Sequence, residues 1–167
     1  TVNPLPTFIT SSTPLEDGLG NINICNGSIA VLSSTITSGL SPYTYQWFDS
    51  AGAISSATNA NYSAPTTSDY KLKVTDKNGC STTSPESKVL VRTYPNADIT
   101  AGGPVTFCAG LDVELKIGST PTSGFTYQWI KDGLDIPETN YNYMATETGN
   151  YTVRIIDTNY TSNCTST

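Results

Sequence analysis

Four cysteines, Cys25, Cys80, Cys108 and Cys164, are the residues whose type and spacing most readily do chemistry in this chain. They fall two to each half, about 55 residues apart within a half, a regularity that points to disulfides formed in an oxidising compartment. The expected pairs are Cys25 with Cys80 and Cys108 with Cys164, since free thiols recurring in step are the poorer account of an exported protein. Two cysteines per half cannot fill a tetrahedral metal site when the 167 residues hold no histidine. The same absence removes the commonest general base, so the plentiful Ser and Thr have no histidine to activate them. Glu16-Asp17 and Asp132 with Asp135 are the nearest approach to a calcium loop, yet no Asp-x-Asp-x-Asp-Gly run exists. Nothing marks a carboxylate pair for glycoside cleavage. The chain therefore reads as a non-enzyme with no cofactor, calcium being the one ion its carboxylates leave open.

Aromatic residues are the other candidates. Trp47 and Trp129 could be platforms for sugar stacking, but mid-strand on an apolar face they belong to a core. Tyr70 and Tyr151 read as corner tyrosines that tie a sandwich to its own backbone, with Leu72 and Val153 as aliphatic core positions beside them. Tyr43, Tyr94, Tyr141 and Tyr160 are less committed. They suit either a polar-aromatic surface for a polysaccharide or a surface protein, or packing against a neighbouring module. A net charge of -6 and a pI near 4.3 argue against nucleic acid, which needs clustered Lys and Arg. No apolar run reaches the roughly 18 residues that span a bilayer, and no charged-then-apolar signal opens the chain.

The elements that must position these residues come from an internal repeat. Tyr45-Gln46-Trp47 returns as Tyr127-Gln128-Trp129; Trp47 to Trp129 is 82 positions, Cys25 to Cys108 is 83 and Tyr70 to Tyr151 is 81. Residues 7–92 form one repeat and 93–167 the second, while residues 1–6 resemble Leu90 to Pro95 and read as the end of a preceding repeat with its linker. Strands are expected at Thr7 to Ser12, Asn21 to Cys25, Ile29 to Leu32, Tyr43 to Phe48, Asn61 to Ala64, Tyr70 to Val74 and Lys88 to Val91, with Ser33 to Pro42 as a polar loop. In Tyr43 to Phe48, period-two alternation puts Tyr43, Tyr45 and Trp47 on one face, expected to be the core, and Thr44, Gln46 and Phe48 on the other. The second repeat has counterparts at Val105 to Cys108, Val113 to Ile117, Phe125 to Ile130, Tyr141 to Tyr143 and Tyr151 to Ile155. Only three residues follow Cys164, so this repeat is expected to lack its last strand and the chain to be a fragment of a longer array. About seven short strands per repeat predict an all-β fold of two tandem immunoglobulin-like antiparallel β-sandwiches.

The central Tyr-x-Trp, the later Tyr-x-aliphatic-x-aliphatic ending in Asp76 or Asp157, and the flanking Cys pair resemble the immunoglobulin-like and PKD-like tandem repeats of Bacteroidetes surface proteins. Ser41 to Trp47 and Val74 to Cys80 are similar to SprB-type repeats of gliding-motility adhesins. The resemblance implies export through type IX secretion to the cell surface or beyond, as a spacer in a large adhesin whose partners are neighbouring repeats. Ser50, in Asp49-Ser50-Ala51, matches the pattern at which such proteins carry O-linked sugars. Pro4, Pro6 and Pro95 would limit the linkers. Alternatives are a carbohydrate- or protein-binding module, or an accessory module of a secreted glycanase. The Cys pairs conflict with a strict immunoglobulin path, in which the flanks carrying them lie at opposite ends of the domain, beyond the roughly 7 Å that a disulfide spans. Either the first strands wrap differently or the cysteines pair otherwise.

Overall fold

The structure, a computed structural model, describes residues 2–118, 123–160 and 163–167. Strands and turns make up the described residues, with no helix among them, and the chain divides into two units, Thr1–Arg92 and Thr93–Thr167. Each is an all-β, immunoglobulin-like sandwich.

In the first unit the strands are β1 (Thr7–Thr13), β2 (Asn21–Cys25), β3 (Ala30–Ser38), β4 (Thr44–Asp49), β5 (Gly52–Ala53), β6 (Asn61–Ala64), β7 (Ser68–Thr75), β8 (Ser81–Thr83) and β9 (Ser87–Arg92). One sheet runs β1-β3-β6, the other β2-β9-β7-β4-β5, with β8 also on β7. Because β-branched and aromatic residues alternate with polar ones, β3, β4 and β7 each bury one side: Tyr70, Leu72 and Val74 of β7 and Trp47 of β4 meet Ala30 and Leu32 of β3 in the core. The chain leaves the first sheet after β1 and enters the second as β2, which runs parallel to β9 from Asn21↔Lys88 to Cys25↔Arg92. This parallel pair seals one edge of the core, and Ile22, Ile24 and Val89 are buried by it.

Two expectations need correction. The segment 33–42 is not a loop throughout, because β3 continues to Ser38. Its run of Ser and Thr is paired residue for residue with β1, Ser34 opposite Thr10 and Ile36 opposite Phe8, and only Phe8 and Ile36 turn toward the core. A hairpin whose outer face is wet shows few apolar letters, which hides its length. The second correction concerns the second unit. Its strands are β10 (Ile99–Ala101), β11 (Val113–Ile117), β12 (Phe125–Lys131), β13 (Leu134–Asp135), β14 (Asn142–Ala145), β15 (Tyr151–Asp157) and β16 (Thr165–Ser166). They form sheets β10-β11-β14 and β13-β12-β15-β16 around Trp129, Val153, Ile155 and Ile117. Val105 to Cys108, the counterpart of β2, is not a strand. The described residues of this unit include no counterpart of β9, and without a parallel partner the segment has no ladder to join.

Candidate functional site

The recurring Tyr-Gln-Trp triplet works as a backbone fastener. In β4 the Gln46 amide Nε2 donates to the carbonyls of Trp47 and Ile54, both at 2.8 Å, while Trp47 Nε1 donates to Asn59 O at 2.9 Å. In β12, Gln128 Nε2 reaches Trp129 O and Ile136 O, and Trp129 Nε1 reaches Asn140 O at 2.9 Å. The indoles are buried in each core. One face of β4 and β12 thus fills the sandwich while the intervening Gln holds the connection that follows. Gln46 faces away from the apolar side, so strand alternation alone assigns it no role.

Tyr70 Oη donates to Thr66 O at 3.1 Å and Tyr151 Oη to Glu147 O at 2.9 Å, four residues upstream in both units. Asp76, just after β7, and Asp157, the last residue of β15, cap the following turn. Asp76 Oδ1 accepts from the backbone N–H of Asn78 and Cys80, and Asp157 Oδ1 from the N–H of Asn159. Asp76 N–H donates to Cys80 O and Asp157 N–H to Cys164 O, each at 2.9 Å. The second turn is longer, and its residues 161–162 lie outside the described ones, yet the closing bond is kept.

The cysteines do not pair within repeats. Cys80 and Cys108 are free thiols, whereas Cys25 and Cys164 are disulfide-bonded. The sheet explains why. Cys25 lies beside Arg92, beyond the start of β7, while Cys80 follows its end; the eight residues of β7 put roughly 23 Å between those positions at 3.3 Å per residue. Cys108 likewise sits by the entry of β15 and Cys164 past its exit.

The acidic groups expected for calcium are engaged by protein donors. Asp17 Oδ1 accepts from the N–H of Leu19 and of Asn21, both at 2.9 Å, and Oδ2 from Asn23 Nδ2 at 2.8 Å. The Asn21 backbone bond is the largest cause that holds this carboxyl at about 2, well under its ordinary 3.8. Buried Asn23 in turn accepts from Arg92 Nε at 2.9 Å, so the loop, β2 and β9 are joined in one chain of bonds. Glu16 is exposed, Asp132 Oδ1 accepts from Asn150 N–H, and Asp135 pairs with Arg154. Among the described residues no three or more His, Cys, Asp and Glu side chains gather.

The four candidate tyrosines are dispersed. Tyr43 packs on the first core; Tyr141 packs on the second, donating to Ile117 O with its ring edge-on to Tyr127. Tyr94 is exposed and Tyr160 half-buried. Ser50 is exposed at the tip of the β4–β5 turn, where Asp49 Oδ1 accepts from the N–H of Ala51 and Gly52.

One concavity is announced by no motif. In the second unit a cleft of about 580 Å³ opens between residues 105–109 and 145–151, floored by Val113 and Leu115. The corresponding place in the first unit is filled by β2 and β9. Ile22 has no exposure there, whereas its counterpart Val105 is 75% exposed. Glu147, which lines the cleft, forms an ion pair with Lys131, their hydrogen bond raising the lysine's pKa and lowering that of the carboxyl.

No protein-family model matches the chain. A decoration protein of Escherichia phage T5 is 33% identical over 81 residues, which are 46% of this chain and 49% of that protein, so the chain spans about half the length of this curated relative. Among solved structures, fibronectin(III)-like modules of Clostridium thermocellum CbhA are similar with a TM-score of 0.48 at 15% identity, covering 95% of this chain and 90% of theirs. The three N-terminal domains of the bacteriophage RB49 Highly Immunogenic Outer Capsid protein are similar with a TM-score of 0.46 at 18% identity, covering 97% and 56%.

Proposed function

We propose that the chain is a non-catalytic structural module of an exposed surface protein, a spacer repeat in the stalk of a large cell-surface adhesin. One observation carries this reading. The polar and aromatic residues that recur between the halves, Gln46 and Gln128, Trp47 and Trp129, Tyr70 and Tyr151, Asp76 and Asp157, bond their own unit's backbone. Repetition here preserves an architecture, as selection for a spacer would. The disulfide-bonded Cys25 and Cys164 suit an oxidising, extracellular setting, and export by type IX secretion belongs to the same reading. Among the described residues no helix is long and apolar enough to cross a membrane.

The test is retention of the purified chain on arrays of polysaccharides and surface proteins. A spacer gives no selective retention. Selective binding that is lost in Tyr43→Ala or Tyr94→Ala would replace this reading with a ligand-binding module. The phage relative supports a second reading, a module that decorates a larger assembly from outside. Co-sedimentation with the isolated assembly, saturable and stoichiometric, is what that alternative requires.

A further inference from the structure

We propose that the first unit associates with a second copy of this chain through the outer edge of β1, the two β1 strands pairing antiparallel about a twofold axis. A sheet edge presents unpaired N–H and C=O groups, and proteins keep such edges from joining other chains by making the strand short, charged, bulged or broken by proline. Most edges here follow that rule. Among the described strands β6 has four residues, β5 and β13 two each, and β10 three, with Thr100 opposite Lys116 of β11. β1 is the exception and the longest edge strand of the described residues. Its seven residues, Thr7–Thr13, hold neither a charge nor a proline, and five of them are exposed. It pairs only with β3, in a register that is regular from Phe8 to Thr13, so no bulge within that stretch turns the edge aside.

The occupant follows from charge and from the path of the chain. β1, β3 and β6 contain no Asp, Glu, Lys or Arg, whereas Asp49, Asp69, Lys71, Lys73, Lys88 and Arg92 all lie on strands of the opposite sheet. Two copies that each carry a net charge of -6 approach most easily where neither presents a charge, which is this sheet. The strand is also complementary to itself. Antiparallel pairing centred on Thr10 sets Thr7 opposite Thr13, Phe8 opposite Ser12 and Ile9 opposite Ser11, with hydroxyl and β-branched side chains across from one another along the whole strand. The entering chain leaves the edge clear. Buried Pro6 lies against Gly39, so close that a Cβ there would stand 3.1 Å away, and Gly39 follows β3, so the chain enters in line with the β1–β3 pair. One pair of seven-residue strands is a contact of the small class, under roughly 1,200 Å², so the association is weak and reversible. This goes beyond the spacer reading and does not depend on it.

The test is sedimentation equilibrium of the full chain, its free thiols alkylated so that exposed Cys108 cannot link copies. Between about 10 μM and 1 mM the monomer is expected to pass to a dimer, with about half the chains paired at the upper limit. Hydrogen exchange at that limit should slow about twofold at β1 amides, as the paired fraction dictates, and stay unchanged at the short edge strands β6 and β14. Ile9→Lys and Ile9→Glu alter a side chain that is 63% exposed, so each should keep the native tryptophan fluorescence. Across the twofold axis the two copies of residue 9 are diagonal neighbours. Each variant alone should therefore stay monomeric through like-charge repulsion, and an equimolar mixture of the two should recover the dimer. Monomer throughout the range would overturn the proposal and leave the edge to a different partner or to none. So would a dimer whose protected amides lie outside β1, association of Ile9→Lys equal to that of the native chain, or an open-ended series of oligomers, since a twofold pair closes.

Discussion

At the scale of single residues, hydrogen bonds to backbone decide what the recurring side chains do. Gln46→Ala leaves the carbonyls of Trp47 and Ile54 without their side-chain donor, a loss of about 1–2 kcal/mol in denaturant unfolding, with Gln128→Ala equivalent in the second unit. Asp17 sets a pH dependence of defined sign. Its carboxyl titrates at about 2 in the folded chain and near 3.8 when unfolded. Its stabilisation is therefore complete above the unfolded value and is lost as pH falls from about 4 toward 2. The difference in melting temperature between the native chain and Asp17→Asn, measured from pH 6 to 2, should be constant above about pH 5 and shrink through that window. Trp47, Tyr70 and Leu72 could be placed from sequence because burial follows strand alternation. Gln46 could not, because its partner Ile54 is eight residues away across a turn. The cysteine pairing misled for a related reason: equal spacing in sequence says nothing about which end of β7 each thiol occupies.

Among elements, the contrast between β2 and residues 105–108 isolates what a neighbour contributes. Asn21 to Cys25 alternates and Val105 to Cys108 looks equally strand-like, yet only the first is a strand, because β9 gives it a parallel partner. Extended backbone in a sheet is a property of pairs, and local propensity is overridden where the pair is missing. Placing a charge in the buried seam by Val89→Asp should free β2 from β9. Hydrogen exchange at Ile22 to Ile24 would then rise toward that of residues 105–108, while β1 and β3 keep their protection. The overlooked half of β3 teaches the converse. Ser33 to Ser38 carries little apolar signal, yet its register with β1 is continuous from Val31 to Ile36.

For the whole molecule, two units with unequal edges should differ in stability. Ile22, Ile24 and Val89 complete the first core, and the second has an open cleft at that place. Each unit carries one tryptophan, so Trp129→Phe and Trp47→Phe chains report one unit apiece. Followed by fluorescence, the transition seen through Trp129 should come first on heating, by about 5 °C or more. The repeat made two similar sandwiches legible in the sequence, whereas the cavity beside residues 105–109 left no mark in it. The parallel seam of β2 and β9 has a mechanical meaning. Tension that draws the start of β2 and the end of β9 apart acts along both strands, so the bonds from Asn21↔Lys88 to Cys25↔Arg92 are sheared together instead of being unzipped singly. The described residues of the second unit contain only antiparallel pairs. Under reductant, force applied between the start of β2 and the end of β9 should therefore open the first unit in a single step, when the whole seam ruptures, and Val89→Asp should lower that force.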